Sequence, residues 1–246
     1  MSQYKQGKID IVLLTFNRRK ILQRTLESIW ARTKTPYRLI IVDNNSNDGT
    51  VKWLRNKKKQ GMIDELVEIT EPQGLCHAYN EGFKLVRSKY FITTQDDILP
   101  PDLKPDWFIQ MKDLLDRHSE YGAIAMRVGR MINIKFRGEY EICDARRSCC
   151  AYFRIHKKSV VAKNNPYPFG ERRGLTDDIE FKKLIQRIGL KAGFSKFIWA
   201  NHIGHSQVEN KGYGKFTNYL GYNKARNDAK IRKPYPKINP KTNVPI

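Results

Sequence analysis

Four groups of polar side chains have the types and spacing to do chemistry: Thr15-Phe16-Asn17-Arg18, Asp43-Asn44-Asn45, Gln95-Asp96-Asp97, and Asp177-Asp178 with Glu180. Each of the first three ends a short apolar run that reads as a strand. In open α/β sheets, ligands bind beyond the carboxyl ends of the strands, so three successive clusters of this kind predict one shared polar crevice. Singly, each is ordinary turn chemistry. No GxGxxG follows the first strand and no Walker lysine loop occurs, which disfavours a dinucleotide site and excludes a P-loop NTPase. A nucleotide held without a glycine cradle needs another way to carry its phosphates, and a divalent cation on aspartates supplies one. The acids at 177, 178 and 180 complement a helix N-terminus, which by itself accounts for their charge. Cys143, Cys149, Cys150 and His156 match no closed four-ligand zinc spacing, so free or buried thiols are expected.

The elements that must position these groups alternate through the first hundred residues. Ile9–Thr15 is a nearly continuous apolar run, as in a buried strand of a parallel sheet. Asn17 is placed as the cap of a helix to about Arg32, with Leu22, Leu26 and Ile29 on one face. Tyr37–Val42 is a second buried strand ending at Asp43, followed by an Asn- and Asp-rich turn and a helix over Thr50–Lys59. Leu66–Thr70, Gly74–Val86 and Tyr90–Thr94 continue as strand, helix and strand. This order predicts a parallel α/β sheet with right-handed crossovers. The second half is less regular. It reads as a helix over about Asp102–His118 and strands at Gly122–Arg127 and Ala151–Ile155, separated by the basic stretch Arg127–Arg147. A helix over Thr176–Ile188, capped by Thr176, and a strand at Ala192–Trp199 follow.

Of the 246 residues, 40% are hydrophobic and 11% aromatic, enough for a core, which excludes a disordered chain. No apolar run approaches the roughly 20 residues that span a bilayer, and no small-residue cleavage site suggests a signal peptide. Four cysteines, two of them adjacent and none in a CxxC pair, fit a reducing compartment and a cytoplasmic protein, with peripheral membrane association as a further option. Lysine plus arginine number 46 against 25 acids, a net charge of +21 that implies either a polyanionic neighbour or a solvated basic surface. From about Ser206 the pattern dissolves into a basic tail. Tyr213, Phe216, Tyr219 and Tyr222 recur in it at three-residue spacing, as either a packed helix face or a stacking surface.

The chain resembles a family 2 glycosyltransferase with the GT-A fold. The resemblance rests on Val12-Leu-Leu-Thr-Phe-Asn-Arg18, Ile41-Val-Asp-Asn-Asn-Ser-Asn-Asp-Gly-Thr50, Gly74-Leu-Cys-His-Ala-Tyr-Asn-Glu-Gly82, Thr93-Thr-Gln-Asp-Asp-Ile98 and Thr176-Asp-Asp-Ile-Glu-Phe181, in family order over about residues 8–205. It implies an α/β fold with a mostly parallel central sheet flanked by helices. Residues 1–205 would form the transferase domain, with a nucleotide-binding half (1–100) and an acceptor half (101–205), and 206–246 an irregular basic extension.

The resemblance also implies roles. Asp43 matches the aspartate that recognises the base of a sugar nucleotide, and Thr15, Asn17, Arg18, Asn45, Gln95 and Asp96 belong to the same nucleotide site. Asp97 matches the last aspartate of the family's DXD motif, which holds Mn2+ or Mg2+ on the donor diphosphate. The sequence departs at Gln95, a neutral oxygen where the family has an acid, so metal binds either through Asp97 and water or with help from Asp96. Asp178 matches the general base of an inverting transfer. Of His202 and His205, His205 is the better match to a histidine near the metal or diphosphate. Tyr79 stands where relatives often have a phosphate-binding arginine. The implied activity is inverting transfer from a nucleoside diphosphate sugar, UDP-linked in most relatives, to an acceptor hydroxyl.

Arg127, Arg130, Arg137, Arg146, Arg147, Arg172 and Arg173, with the tail, suit an anionic acceptor or support. That is either a surface or lipid-linked glycan at an anionic membrane or hydroxylated, flipped-out bases in DNA. The missing first acid keeps an alternative of another class, a nucleic-acid-binding protein on a catalytically degenerate GT-A fold.

Overall fold

The first strand is apolar along nearly its whole length because both its faces are covered. In the computed structural model, which describes residues 8–71, 75–128, 141–145, 149–162 and 177–203, all seven residues of β1 (Ile9–Thr15) are buried. α1 (Arg19–Arg32), β2 (Tyr37–Asp43), α2 (Thr50–Lys59), β3 (Glu65–Glu68), α3 (Leu75–Phe83) and β4 (Tyr90–Gln95) complete the alternating half. β1 pairs in parallel with both β2 and β4, and β3 extends the sheet beyond β2, also in parallel.

The other half adds β5 (Ile98–Leu99), α4 (Trp107–Arg117), β6 (Tyr121–Arg127), β7 (Ile142–Asp144), β8 (Arg154–Lys157), α5 (Lys158–Ala162), α6 (Asp177–Arg187), β9 (Lys191–Trp199) and β10 (Asn201–His202). The sheet order is β3-β2-β1-β4-β8-β6-β9-β7, with β10 and β5 forming a separate antiparallel pair. β8 lies antiparallel between β4 and β6 and joins the two halves into one sheet. β6 and β9 are parallel, and β7 closes that side antiparallel to β9. The sheet is therefore parallel through β3, β2, β1 and β4 and mixed beyond β4.

Several expected boundaries move for local reasons. Asn17 does not cap α1. It adopts a left-handed backbone with φ 49, and its Oδ1 accepts from Asn47 N–H at 2.7 Å. The first helical amide, Arg19 N–H, instead donates to Asp48 Oδ2 at 3.1 Å. The expected 102–118 helix starts at Trp107, because Pro105 disfavours helical backbone in the residue before it and Asp106 caps the helix through Phe108 N–H at 2.7 Å. The strand expected at Ala151–Ile155 begins at Arg154, because Phe153 takes φ 45 and breaks extended backbone there. β5, β7, α5 and β10 are two to five residues long, too short for periodicity to reveal. Thr176, His205, the tail and residues 129–140 and 146–148 of the basic stretch lie outside the described residues.

Gly82 shows how tightly α3 sits on the sheet. A Cβ there would lie 2.5 Å from Val12 Cγ1 and 3.0 Å from Val42 Cγ2, on two neighbouring strands. No helix among the described residues is long and apolar enough to cross a membrane.

Candidate active site

The carboxyl ends of β1, β2 and β4 meet in one cleft, lined in part by Thr15, Phe16, Arg18, Asn44, Gln95 and Asp96. Thr15, the last residue of β1, donates its hydroxyl to Asp96 Oδ2 at 2.8 Å. Arg18 follows in the β1–α1 loop, buried at 5% exposure, and its Nη1 reaches Asp96 Oδ1 at 2.9 Å and Asp97 Oδ2 at 3.0 Å. One guanidinium thus bridges two adjacent buried carboxylates, a charge-assisted arrangement that offsets part of their desolvation. Burial and the neighbouring Asp97 push the Asp96 carboxyl above the ordinary carboxylate range, against the pull of Arg18. Burial alone would raise Asp97 too, but His202 and Arg18 hold it well below that range.

His202 arrives from the far end of the chain. β10 pairs antiparallel with β5, Ile203 N–H donates to Asp97 O at 2.9 Å, and His202 Nε2 then lies 3.1 Å from Asp97 Oδ2. Among the described residues, the histidine on the acidic motif is His202; His205, the preferred candidate in the sequence, lies outside them. Asp97 Oδ1 is buried and has no hydrogen-bond partner among the described residues.

Asp43 ends β2 at zero exposure. Its Oδ1 accepts from Ser46 N–H at 2.8 Å, and its Oδ2, also buried, has no hydrogen-bond partner among the described residues. Burial pushes its carboxyl up, with the Ser46 hydrogen bonds opposing. Asn17 locks the same turn, its N–H donating to Ser46 Oγ at 2.8 Å, while Asn44 N–H donates to Thr15 O at 3.0 Å. The structure thus brings together Thr15, Asn17, Arg18, Asp43, Asp96 and Asp97. Asn45 stands beside Asp43 in left-handed backbone, φ 69, and Gln95 is half-buried at the cleft wall. Tyr79 belongs to the core. It is fully buried, stacks on Phe83 with ring centroids 5.9 Å apart, and donates its hydroxyl to Thr94 O at 3.1 Å.

Asp178 belongs to a second cluster, in the first turn of α6. Its Oδ1 accepts from Ala151 N–H at 3.2 Å and lies 3.9 Å from Arg154 Nη1, and its own carbonyl accepts from Cys149 N–H at 3.2 Å. Cys149 is buried, and that burial pushes its thiol up to about 12. Arg154 was not singled out in the sequence, although a charge inside an apolar strand signals an obligatory partner.

A polar crevice at the ends of parallel strands, with an acidic pair beside it and a mixed sheet beyond, defines the class as a GT-A glycosyltransferase fold. The pattern of Glycosyl transferase family 2 matches residues 10–182, and the chain belongs to that family. Over 96 residues it is 31% identical to poly(ribitol-phosphate) beta-N-acetylglucosaminyltransferase TarP of Staphylococcus aureus (strain N315), covering 37% of this chain and 29% of TarP. The crystal structure of S. aureus TarS is similar with TM-score 0.59 and 13% identity, over 92% of this chain and 41% of TarS. The mannosyltransferase PcManGT of Pyrobaculum calidifontis, solved with GDP-Man and Mn2+, is similar with TM-score 0.65 and 17% identity, over 93% of this chain and 67% of that one. TarS 1–349 has also been solved with UDP-GlcNAc, with TM-score 0.56 and 11% identity, over 87% of this chain and 65% of that one. The chain spans less than half the length of TarP and of the longer TarS chain. At these identities the structural likeness establishes the fold.

Proposed function

We propose that the protein transfers a sugar from a nucleoside diphosphate sugar to an acceptor hydroxyl with inversion, and that the nucleotide is UDP. The observation that carries this reading is a pair of buried carboxylate oxygens, Asp43 Oδ2 and Asp97 Oδ1, without partners among the described residues, at the ends of two strands that flank β1. A buried acceptor atom left unpaired costs roughly 1–3 kcal/mol, so a pair of them at the ends of neighbouring strands suits ligands that complete both. Asp43 Oδ2 would accept from a base N–H, as the matching aspartate does in the family. Asp97 Oδ1 is a hard oxygen ligand available to Mn2+ or Mg2+. Both Asp96 oxygens are engaged by Thr15 and Arg18, and Gln95 is neutral, so Asp97 would hold the metal with the diphosphate and water. No group of three His, Cys, Asp or Glu fit to hold a metal occurs among the described residues. Such a metal would neutralise charge on the leaving diphosphate.

The chain's own residues do the rest. Arg18 and His202 fix Asp97 Oδ2, aiming its other oxygen. Asp178 takes the proton of the acceptor hydroxyl as the bond to the sugar forms, because the hydroxyl becomes acidic only then. For the acceptor we favour a phosphate-bearing surface glycan over DNA. TarP is named for poly(ribitol-phosphate), and a chain of net charge +21 suits such a polymer.

Thermal shift and nucleotide release test this with UDP-GlcNAc and GDP-mannose, each with and without Mn2+. The expected result is an Mn2+-dependent stabilisation by UDP-GlcNAc, and nucleotide release accelerated by poly(ribitol phosphate) and not by duplex DNA. Folded protein that binds neither donor would overturn the reading and make nucleic acid the next partner to try. Acceleration by DNA alone would move the acceptor to DNA.

A further inference from the structure

We propose that Arg154 is a positioning residue that aims the Asp178 carboxylate, an inference that rests on reading Asp178 as the base. Arg154 opens β8 and is fully buried, with zero exposure. A guanidinium withdrawn from water this far is stable only where its donors and charge are matched. Its Nη1 donates to Cys149 O and lies 3.9 Å from Asp178 Oδ1. Its planar head lies over the Phe181 ring, 3.8 Å from the centroid, a cation–π contact in a water-free setting. Asp178 and Phe181 are three residues apart on α6 and so share one helix face. One arginine therefore contacts α6 at two points within its first two turns.

The other end of the guanidinium is fixed as well. Arg154 Nε donates to His156 Nε2 at 3.3 Å, and Thr93 Oγ1 lies 2.9 Å from the same nitrogen. Burial, with Arg154 adding to it, depresses His156 well below the ordinary histidine range, so the ring is neutral and Nε2 accepts. His156 is clamped in turn between Phe91, stacked at 4.7 Å, and the edge-on Phe181 at 4.6 Å. The line Thr93–His156–Arg154–Asp178 thus runs from β4, the strand that carries the acidic motif, across β8 to α6. It ties the position of the proposed base to the strand that presents the donor site.

The carboxylate end is arranged differently. The Asp178 side chain is 18% exposed, whereas its partner is sealed. Among the described residues, both contacts to its carboxylate fall on Oδ1, from Ala151 N–H and Arg154. On this reading Oδ2 serves the acceptor hydroxyl. A fixed cation behind one oxygen orients the other.

The test uses the full chain and four variants: Asp178→Asn, Arg154→Met, Arg154→Lys and the double Arg154→Met/Asp178→Asn. Thermal melting needs no donor. Each single loss should lower Tm by several degrees, and the double variant should lose clearly less than the sum. Strict additivity overturns the inference. Nucleotide release from UDP-GlcNAc supplies the second readout. In Arg154→Met, kcat should fall at least tenfold while the affinity for UDP stays within twofold of wild type, and Arg154→Lys should recover kcat to within threefold of wild type. A parallel fall in kcat and UDP affinity, or non-additive melting with kcat unchanged, overturns it. Should Arg154→Met not fold, Arg154→Lys decides: kcat within threefold of wild type supports the inference, and joint loss of kcat and UDP affinity overturns it. The base reading fails by a different result, wild-type turnover in Asp178→Asn.

Discussion

Individual carboxylates in this protein do different work because their surroundings differ. Asp10, at the amino end of β1, is fully satisfied: Arg38 Nε donates to Oδ1 at 2.7 Å, and Arg87 and Ser88 N–H donate to Oδ2 at 2.6 and 2.8 Å. Burial raises its carboxyl, but Arg38 and these hydrogen bonds outweigh it and leave it below the ordinary range. A depressed folded value stabilises the protein above the unfolded value, and that stability is lost as pH falls through the folded one. Asp10→Asn should therefore cost about 1–3 kcal/mol at neutral pH. The Tm gap to wild type should stay level from about pH 8 to pH 5 and close below about pH 4. Asp43 and Asp97 are the opposite case, each with one oxygen that no described residue claims. Asp43→Asn should weaken UDP binding by roughly 10- to 100-fold in a direct titration, the equivalent of about 1–3 kcal/mol. Asp97→Asn should abolish the Mn2+-dependent part of the UDP-GlcNAc thermal shift and leave metal-free UDP binding measurable.

At the scale of elements, the alternating half was legible in the sequence and the rest much less so. β1 and α2 fall where the apolar runs place them, because both faces of a buried strand and one face of a helix write a regular pattern. The ends of β1, β2 and β4 were readable as a crevice for the same reason: polar residues interrupt apolar runs there. The contact of His202 with Asp97 was not, because it is made from a two-residue strand whose seat is another two-residue strand. Arg154 was hidden because Phe153, in left-handed backbone, shifts the start of β8 past the aromatic run.

Two side-chain features of elements give tests. Asp48 ties the starts of two helices, accepting from Arg19 N–H on one oxygen and from Thr50 N–H and its hydroxyl on the other. Asp48→Ala should cost about 1–2 kcal/mol in urea unfolding, as the loss of a helix cap does. Gly82→Ala drives a methyl against Val12 and Val42 on the sheet, and about 1–3 kcal/mol of destabilisation is expected in the same experiment.

For the whole molecule, the sheet order carries the meaning. The first four strands of the sheet order, β3-β2-β1-β4, are a complete parallel unit, and β8 is laid against its open side from sixty or so residues further on. The two halves are one hydrogen-bonded sheet, so the proposed donor crevice and the proposed base are held by a common frame. The sequence exposed this only as irregularity, since an antiparallel strand of four residues leaves little periodic trace.

That same insertion sets a timetable for synthesis. β4 emerges from the ribosome well before its neighbour β8. At roughly 5–20 residues per second, its outer edge waits about 3–12 s for a partner. Phe91 and Ile92, fully buried in the finished protein, lie on that waiting edge, and an unpaired apolar strand edge recruits other chains. Nascent chains stalled between residues 100 and 150 are thus the vulnerable species, and their capture by chaperones or by one another should end once residues 154–157 are free to pair.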